Sequence, residues 1–145
     1  MSPQAQVGPT TTIDLPPAEI EPLAAWIEVD LARQLVLLHA NGEIVSSHAA
    51  ASGRTDVAGA ATPTGLFRVQ ILQEGPIEND PGLYGSDIVI FDAWAGIGLH
   101  SRPMDAAGNL LDATLGEPAT AGCVRVGDST AVYEFARLDM WVWVH

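Results

Sequence analysis

The sequence contains a single cysteine, Cys123. One thiol excludes an intrachain disulfide framework and every zinc site that needs several thiolates. Basic residues are also scarce: six Lys and Arg stand against eighteen Asp and Glu, for a net charge of -12. A phosphate backbone demands a basic face, so no nucleic-acid partner is expected. Electrostatic docking on anionic lipid is excluded on the same ground. No apolar run approaches the roughly 18 residues of a membrane-spanning helix, so no membrane insertion is expected. The opening stretch "MSPQAQVGPTTTIDLPP" lacks a basic region followed by an apolar one, and no signal peptide is visible. The chain therefore reads either as cytosolic or as the mature part of a longer precursor. No oligomeric state is read from it.

What the chain does have is apolar content, 48% of 145 residues, enough for one domain with its own core. Residues 1–23 are rich in Pro, Thr and Gln without periodicity and read as a flexible leader or linker. Residues 24–145 read as the folded domain. "WIEVDL" alternates as a half-buried strand does, and "QLVLLH" follows after a turn at Ala32-Arg33. Asn41-Gly42 lies between two strand-like runs and is a strong hairpin signal. "LFRVQI" reads as one strand after the Pro63–Gly65 turn, and residues 74–85 as a polar loop. "DIVIFD", "GIGLH", "CVRV" and "MWVWVH" read as further short strands. Asp128 is placed to cap a helix whose Ala131, Val132, Phe135 and Leu138 share one face. Seven or eight strands to one good helix make the fold mainly β, a small sandwich or barrel-like pair of sheets.

A lone cysteine is most often a small buried hydrophobe. Two neighbours shift that balance. Gly122 permits close backbone approach, and Arg125 falls on the same side of a strand as Cys123, where positive charge favours a thiolate. A nucleophilic thiol also needs a base. Of the four histidines, His39 and His48 flank the hairpin and read as structural, and His145 is expected to be frayed. His100 ends a strand and opens the long 101–121 connection that leads to Cys123. Ser101 follows it and offers a hydroxyl or a carbonyl to orient the imidazole. Four histidines without short ligand spacing make a poor metal set, so no metal or cofactor is expected.

Three segments together resemble the L,D-transpeptidase (YkuD-type) catalytic domain over residues 25 to 145. They are the opening meander "WIEVDLARQLVLLHANGEIVSSHAAASG", then "TPTGLFRV", and then "GIGLHS" followed by "TAGCVRV". The last pair matches a His at a strand end and a later [Ser/Thr]-x-Gly-Cys-x-Arg. The resemblance implies two mixed sheets, an extracytoplasmic location and carbapenem sensitivity. It also implies cysteine acyl transfer on peptidoglycan stem peptides, releasing D-Ala and forming 3→3 cross-links. Cys123 would be the nucleophile, His100 its partner and Ser101 the support of the imidazole. Backbone N–H groups around Gly122 and Cys123 would hold the oxyanion. Arg125 would either order the loop or hold a substrate carboxylate.

Two departures stand out. Many members carry His directly before Gly-Cys, where this chain has Ala121, and the 101–121 loop is longer than usual. The same site hydrolysing its acyl-enzyme would be an L,D-carboxypeptidase. A non-catalytic β-rich wall-binding module with a merely buried Cys123 is the alternative outside enzymology.

Overall fold

The computed structural model describes residues 16–20 and 24–145. Eleven strands and one helix follow one another among the described residues. The first half holds β1 (Ala25–Asp30), β2 (Leu35–Ala40), β3 (Glu43–Ala51), β4 (Gly65–Arg68) and β5 (Ile71–Gln73). Then come β6 (Ile77–Asp80), β7 (Leu83–Gly85), β8 (Ile88–Asp92) and β9 (Ile97–His100). After the long connection follow β10 (Val124–Val126), α1 (Ser129–Phe135) and β11 (Trp141–Val144). Nine strands form one sheet in the order β4-β11-β1-β2-β3-β10-β9-β8-β5, and β6 and β7 pair separately. The large sheet is mixed: β1 and β11 are parallel, as are β9 and β10. The expected two sheets thus exist, although the smaller is a single hairpin.

Curling brings the ends of the large sheet together. "LFRVQI" is not one strand. It breaks at Val69-Gln70, so that β4 pairs with β11 at one edge and β5 with β8 at the other. The fully buried Val69 donates its N–H to Met140 and Gln70 donates to Ile90, which ties the break to both halves. Phe67 of β4 meets Phe91 of β8 across the closure, with ring centroids 5.0 Å apart. The main core fills the inside of this curl with Ile27, Val29, Val36, Val89, Leu99 and Val124, among others. Phe91→Ala is expected to cost about 3–5 kcal/mol, because it opens a cavity at the seam of the closure. A urea midpoint shift at unchanged slope checks this.

Alternation in β1 behaves as the sequence suggests, but its second face is also covered. Ile27 and Val29 point into the main core, while Trp26 joins Ile20 and Trp143 in a second apolar cluster. The buried Ile20 belongs to the segment read as leader; residues 1–15 and 21–23 of that reading lie outside the described residues. Glu28 sits on this second face between two imidazoles, 2.8 Å from His39 Nε2 and 2.7 Å from His145 Nε2. His39 stacks on Trp26 and His145 on Trp143. His145 is therefore packed, not frayed, and its backbone pairs with Leu31 and Val29.

The Asn41-Gly42 hairpin forms, with φ of 52° and 82°. The stretch read as a polar loop contains the β6–β7 hairpin, whose turn at Pro81-Gly82 is held by the Glu78 carboxylate accepting from Gly82 N–H at 2.8 Å. Asp128 caps α1 by accepting from Ala131 N–H at 3.1 Å. Leu138 lies beyond the helix and is exposed. It does not share the buried helix face, because the chain leaves helical conformation at Ala136.

Candidate active site

Parallel pairing of β9 with β10 builds the site. The register sets Leu99 opposite Val124 and His100 opposite Arg125. Continuing it back by one residue places Cys123 level with Gly98, so His100 lies two residues further along on the same face. Strand spacing of about 4.8 Å and a rise of about 3.3 Å per residue put the two Cα atoms roughly 8 Å apart, with both side chains on one side. Both line a cavity of about 650 Å³, together with Gly96, Ile97, Ala121 and Arg125.

The Cys123 thiol donates to the Gly96 carbonyl at 3.5 Å. Burial pushes this thiol above its ordinary range, and the Gly98 amide only partly opposes that. The expectation that Arg125 favours a thiolate is not met. The guanidinium turns away to the long connection, with Nη1 3.4 Å from both the Thr114 carbonyl and Asp112 Oδ2. Its charge is felt by His100 instead. Burial lowers the His100 basicity below the usual histidine range, the Arg125 charge lowers it further, and the Ser101 carbonyl opposes both. Both shifts favour the uncharged form, of the thiol and of the imidazole alike.

His100 Nδ1 lies 2.7 Å from the Ser101 carbonyl oxygen. A carbonyl only accepts, so Nδ1 carries the proton of the neutral ring and Nε2 keeps its lone pair. Of the two orienting groups offered by Ser101, the carbonyl is the one used. The Ser101 hydroxyl accepts from Ser86 N–H at 2.9 Å and donates to the Arg102 carbonyl at 3.0 Å, which anchors the carbonyl behind it.

Gly122 has φ of 147°, a conformation that favours glycine, and an added Cβ would stand 2.8 Å from Ile97 Cδ1 and push that side chain aside. Its N–H donates to Thr120 Oγ1 at 3.2 Å and is not free for a substrate. The same Thr120 hydroxyl donates to the Cys123 carbonyl at 2.6 Å. Arg125 is 8% exposed, and its Nε has no hydrogen-bond partner among the described residues. Sequence reasoning missed Thr62 and Gly53, which hold the Gly122 carbonyl from behind: Thr62 Oγ1 donates to it at 2.7 Å and accepts from Gly53 N–H at 2.9 Å. Thr62 opens the "TPTG" motif, and Gly53 ends the quoted meander.

One other cluster of ligand-type atoms occurs among the described residues. Glu28, Asp30 and His145 come within 4.8 Å of one another on the far face of β1. Its carboxylates already have partners, Glu28 in the two imidazoles and Asp30 in Arg33 Nε at 2.7 Å.

The profile of the L,D-transpeptidase catalytic domain (YkuD) matches residues 24–144. The chain belongs to this family. Among curated protein sequences none matches. Solved structures of L,D-transpeptidases share the fold. One from Mycobacterium smegmatis is 17% identical, with a TM-score of 0.64 over 84% of this chain and 58% of that one. One from Stackebrandtia nassauensis is 22% identical, with a TM-score of 0.65 over 85% and 56%. LdtMt1, solved in complex with imipenem, is 16% identical, with a TM-score of 0.64 over 84% and 59%. The chain thus spans less than two thirds of each of these relatives. No helix of this L,D-transpeptidase domain is long and apolar enough to cross a membrane, among the described residues.

Proposed function

We propose that this L,D-transpeptidase domain is a cysteine acyltransferase acting on peptidoglycan stem peptides outside the cytoplasmic membrane. Cys123 Sγ attacks the carbonyl of the third residue of a donor tetrapeptide while His100 Nε2 takes the thiol proton. His100 returns that proton to the departing D-Ala amine, leaving a thioester on Cys123. The side-chain amine of an acceptor stem then attacks the thioester, gives its proton to His100, and leaves as the 3→3 cross-link; the thiol is restored. The observation that carries this reading is the shared cavity wall of Cys123 and His100, with the Ser101 carbonyl fixing the proton on Nδ1 at 2.7 Å.

Arg125 has two roles in this reading. Its Nη1 ties residues 112–114, and as a cavity-lining cation the guanidinium attracts a substrate carboxylate. Arg125→Met keeps the bulk and removes both. A lost charge-assisted hydrogen bond is worth about 1.5–3 kcal/mol, so KM for the donor peptide is expected to rise about 10–100-fold with kcat less affected. Steady-state kinetics with varied donor peptide checks this.

The deciding experiment incubates the protein with purified disaccharide-tetrapeptide and follows products by mass spectrometry. Loss of D-Ala with dimer formation is the expected result. Loss of D-Ala without dimers assigns a carboxypeptidase at the same site. Intact substrate, together with a Cys123 thiol that a carbapenem does not acylate, overturns catalysis and leaves the wall-binding module.

A further inference from the structure

We infer that Thr62 is a positioning residue of the acyl-transfer site and that it aims the Cys123 N–H at the oxyanion. The inference rests on the acyl-transfer reading above. Thr62 is buried, 60 residues upstream of Gly122, and its hydroxyl is fully committed. It accepts the Gly53 N–H at 2.9 Å and so sends its single proton to the Gly122 carbonyl at 2.7 Å. In a trans peptide the C=O and N–H point in opposite directions. Pulling the Gly122 oxygen back toward Thr62 therefore turns the Cys123 N–H away from Thr62. That N–H donates to no acceptor among the described residues, although its residue lines the cavity. A backbone donor left open beside a cavity is a group waiting for an acceptor. The Gly122 N–H does not compete, being held by Thr120.

The frame behind the hydroxyl is built to keep it there. An added Cβ at Gly53 would overlap the Ala60 carbonyl oxygen, so only glycine lets the segment before Thr62 approach this closely. Ser52 accepts from the N–H groups of Ala119 and Thr120, and Arg54 donates to the Thr120 carbonyl at 2.9 Å. The segment Ser52–Arg54, which follows β3, thus holds both Thr62 and the loop that bears the thiol. Thr62 acts on the rate by holding one peptide plane, and it touches neither thiol nor substrate.

Acylation of a carbonyl needs the oxyanion donor, whereas alkylation of the same thiol by iodoacetamide does not. Thr62→Val removes the hydroxyl at nearly constant volume. Its rate of acylation by a carbapenem is expected to fall about 10²–10³-fold, while iodoacetamide alkylation of Cys123 stays within about threefold of wild type. Thr62→Ser, which restores the donor, is expected to recover acylation to within about tenfold of wild type. Thr62→Cys, with a weaker donor of similar size, covers the case of a valine variant that fails to fold. It is expected to lose acylation about tenfold or more. Wild-type acylation in the valine or cysteine variant, parallel loss of alkylation, or no recovery by serine would each overturn the role of Thr62. A wild-type protein that no carbapenem acylates would instead overturn the acyl-transfer reading itself.

Discussion

Cys123→Ser is expected to abolish acyl-enzyme formation while leaving the fold intact. The exchange is almost silent structurally. The thiol makes one long hydrogen bond, to the Gly96 carbonyl, and a serine hydroxyl can donate to the same oxygen. The neighbouring Gly122 and the β10 register do not depend on the sulfur. The chemistry, in contrast, depends on it entirely. Burial already pushes the thiol above its ordinary range, so attack relies on the intrinsic nucleophilicity of sulfur and on proton transfer to His100. A hydroxyl at this position is a far weaker acid, and a His100 of lowered basicity is a poor base for it. By analogy with other nucleophile deletions the loss is at least about 10⁴-fold. Intact-mass measurement after carbapenem treatment checks this, beside a thermal melt of the variant. A covalent adduct on the serine protein would remove Cys123 from the nucleophile's role.

How far this site was legible beforehand depends on which interactions are local. The Asn41-Gly42 hairpin and the Asp128 cap are set by residues close in sequence, and both could be read directly. The pairing of His100 with Cys123 has no local signal; the motif pair gave it, and the parallel β9–β10 register explains it. "LFRVQI" misled because its alternation is continuous, whereas the break at Val69-Gln70 comes from the two edges that the chain must join. His145 misled for a related reason. Its place at the chain's end suggested fraying, but stacking on Trp143 and the Glu28 carboxylate bind it across the sheet. Arg125 was legible as a neighbour of the thiol and not in its electrostatic effect. Sequence spacing sets it two residues from the thiol, yet its guanidinium turns toward Asp112 and its charge is felt by His100. Thr62 was quoted within "TPTG" without a role, because only the fold brings it to the Gly122 carbonyl.

The second large effect is expected at His100. His100→Ala removes the only imidazole that lines the cavity and should cut acylation about 10²–10⁴-fold, the usual worth of general-base help. Near-normal turnover in this variant would show that another group takes the proton. The pH profile adds a second reading of the same residue. In the proposed mechanism His100 acts as the neutral base, and its proton affinity lies below the ordinary histidine value of 6.5, so the acid limb of the wild-type profile should fall below pH 6.5. The alkaline limb follows the thiol and should lie above pH 9.0, leaving a broad plateau between the two neutral forms. Stability carries the matching sign. Below pH 6.5 the unfolded chain protonates this histidine before the folded one does, so the wild type loses stability on acidification in that window. His100→Ala should lose less stability than wild type there, as read from urea midpoints between neutral and mildly acidic pH. An acid limb above pH 6.5, or equal acid sensitivity in the two proteins, would mean that the imidazole is not the half-buried neutral base that desolvation and the Arg125 charge make of it.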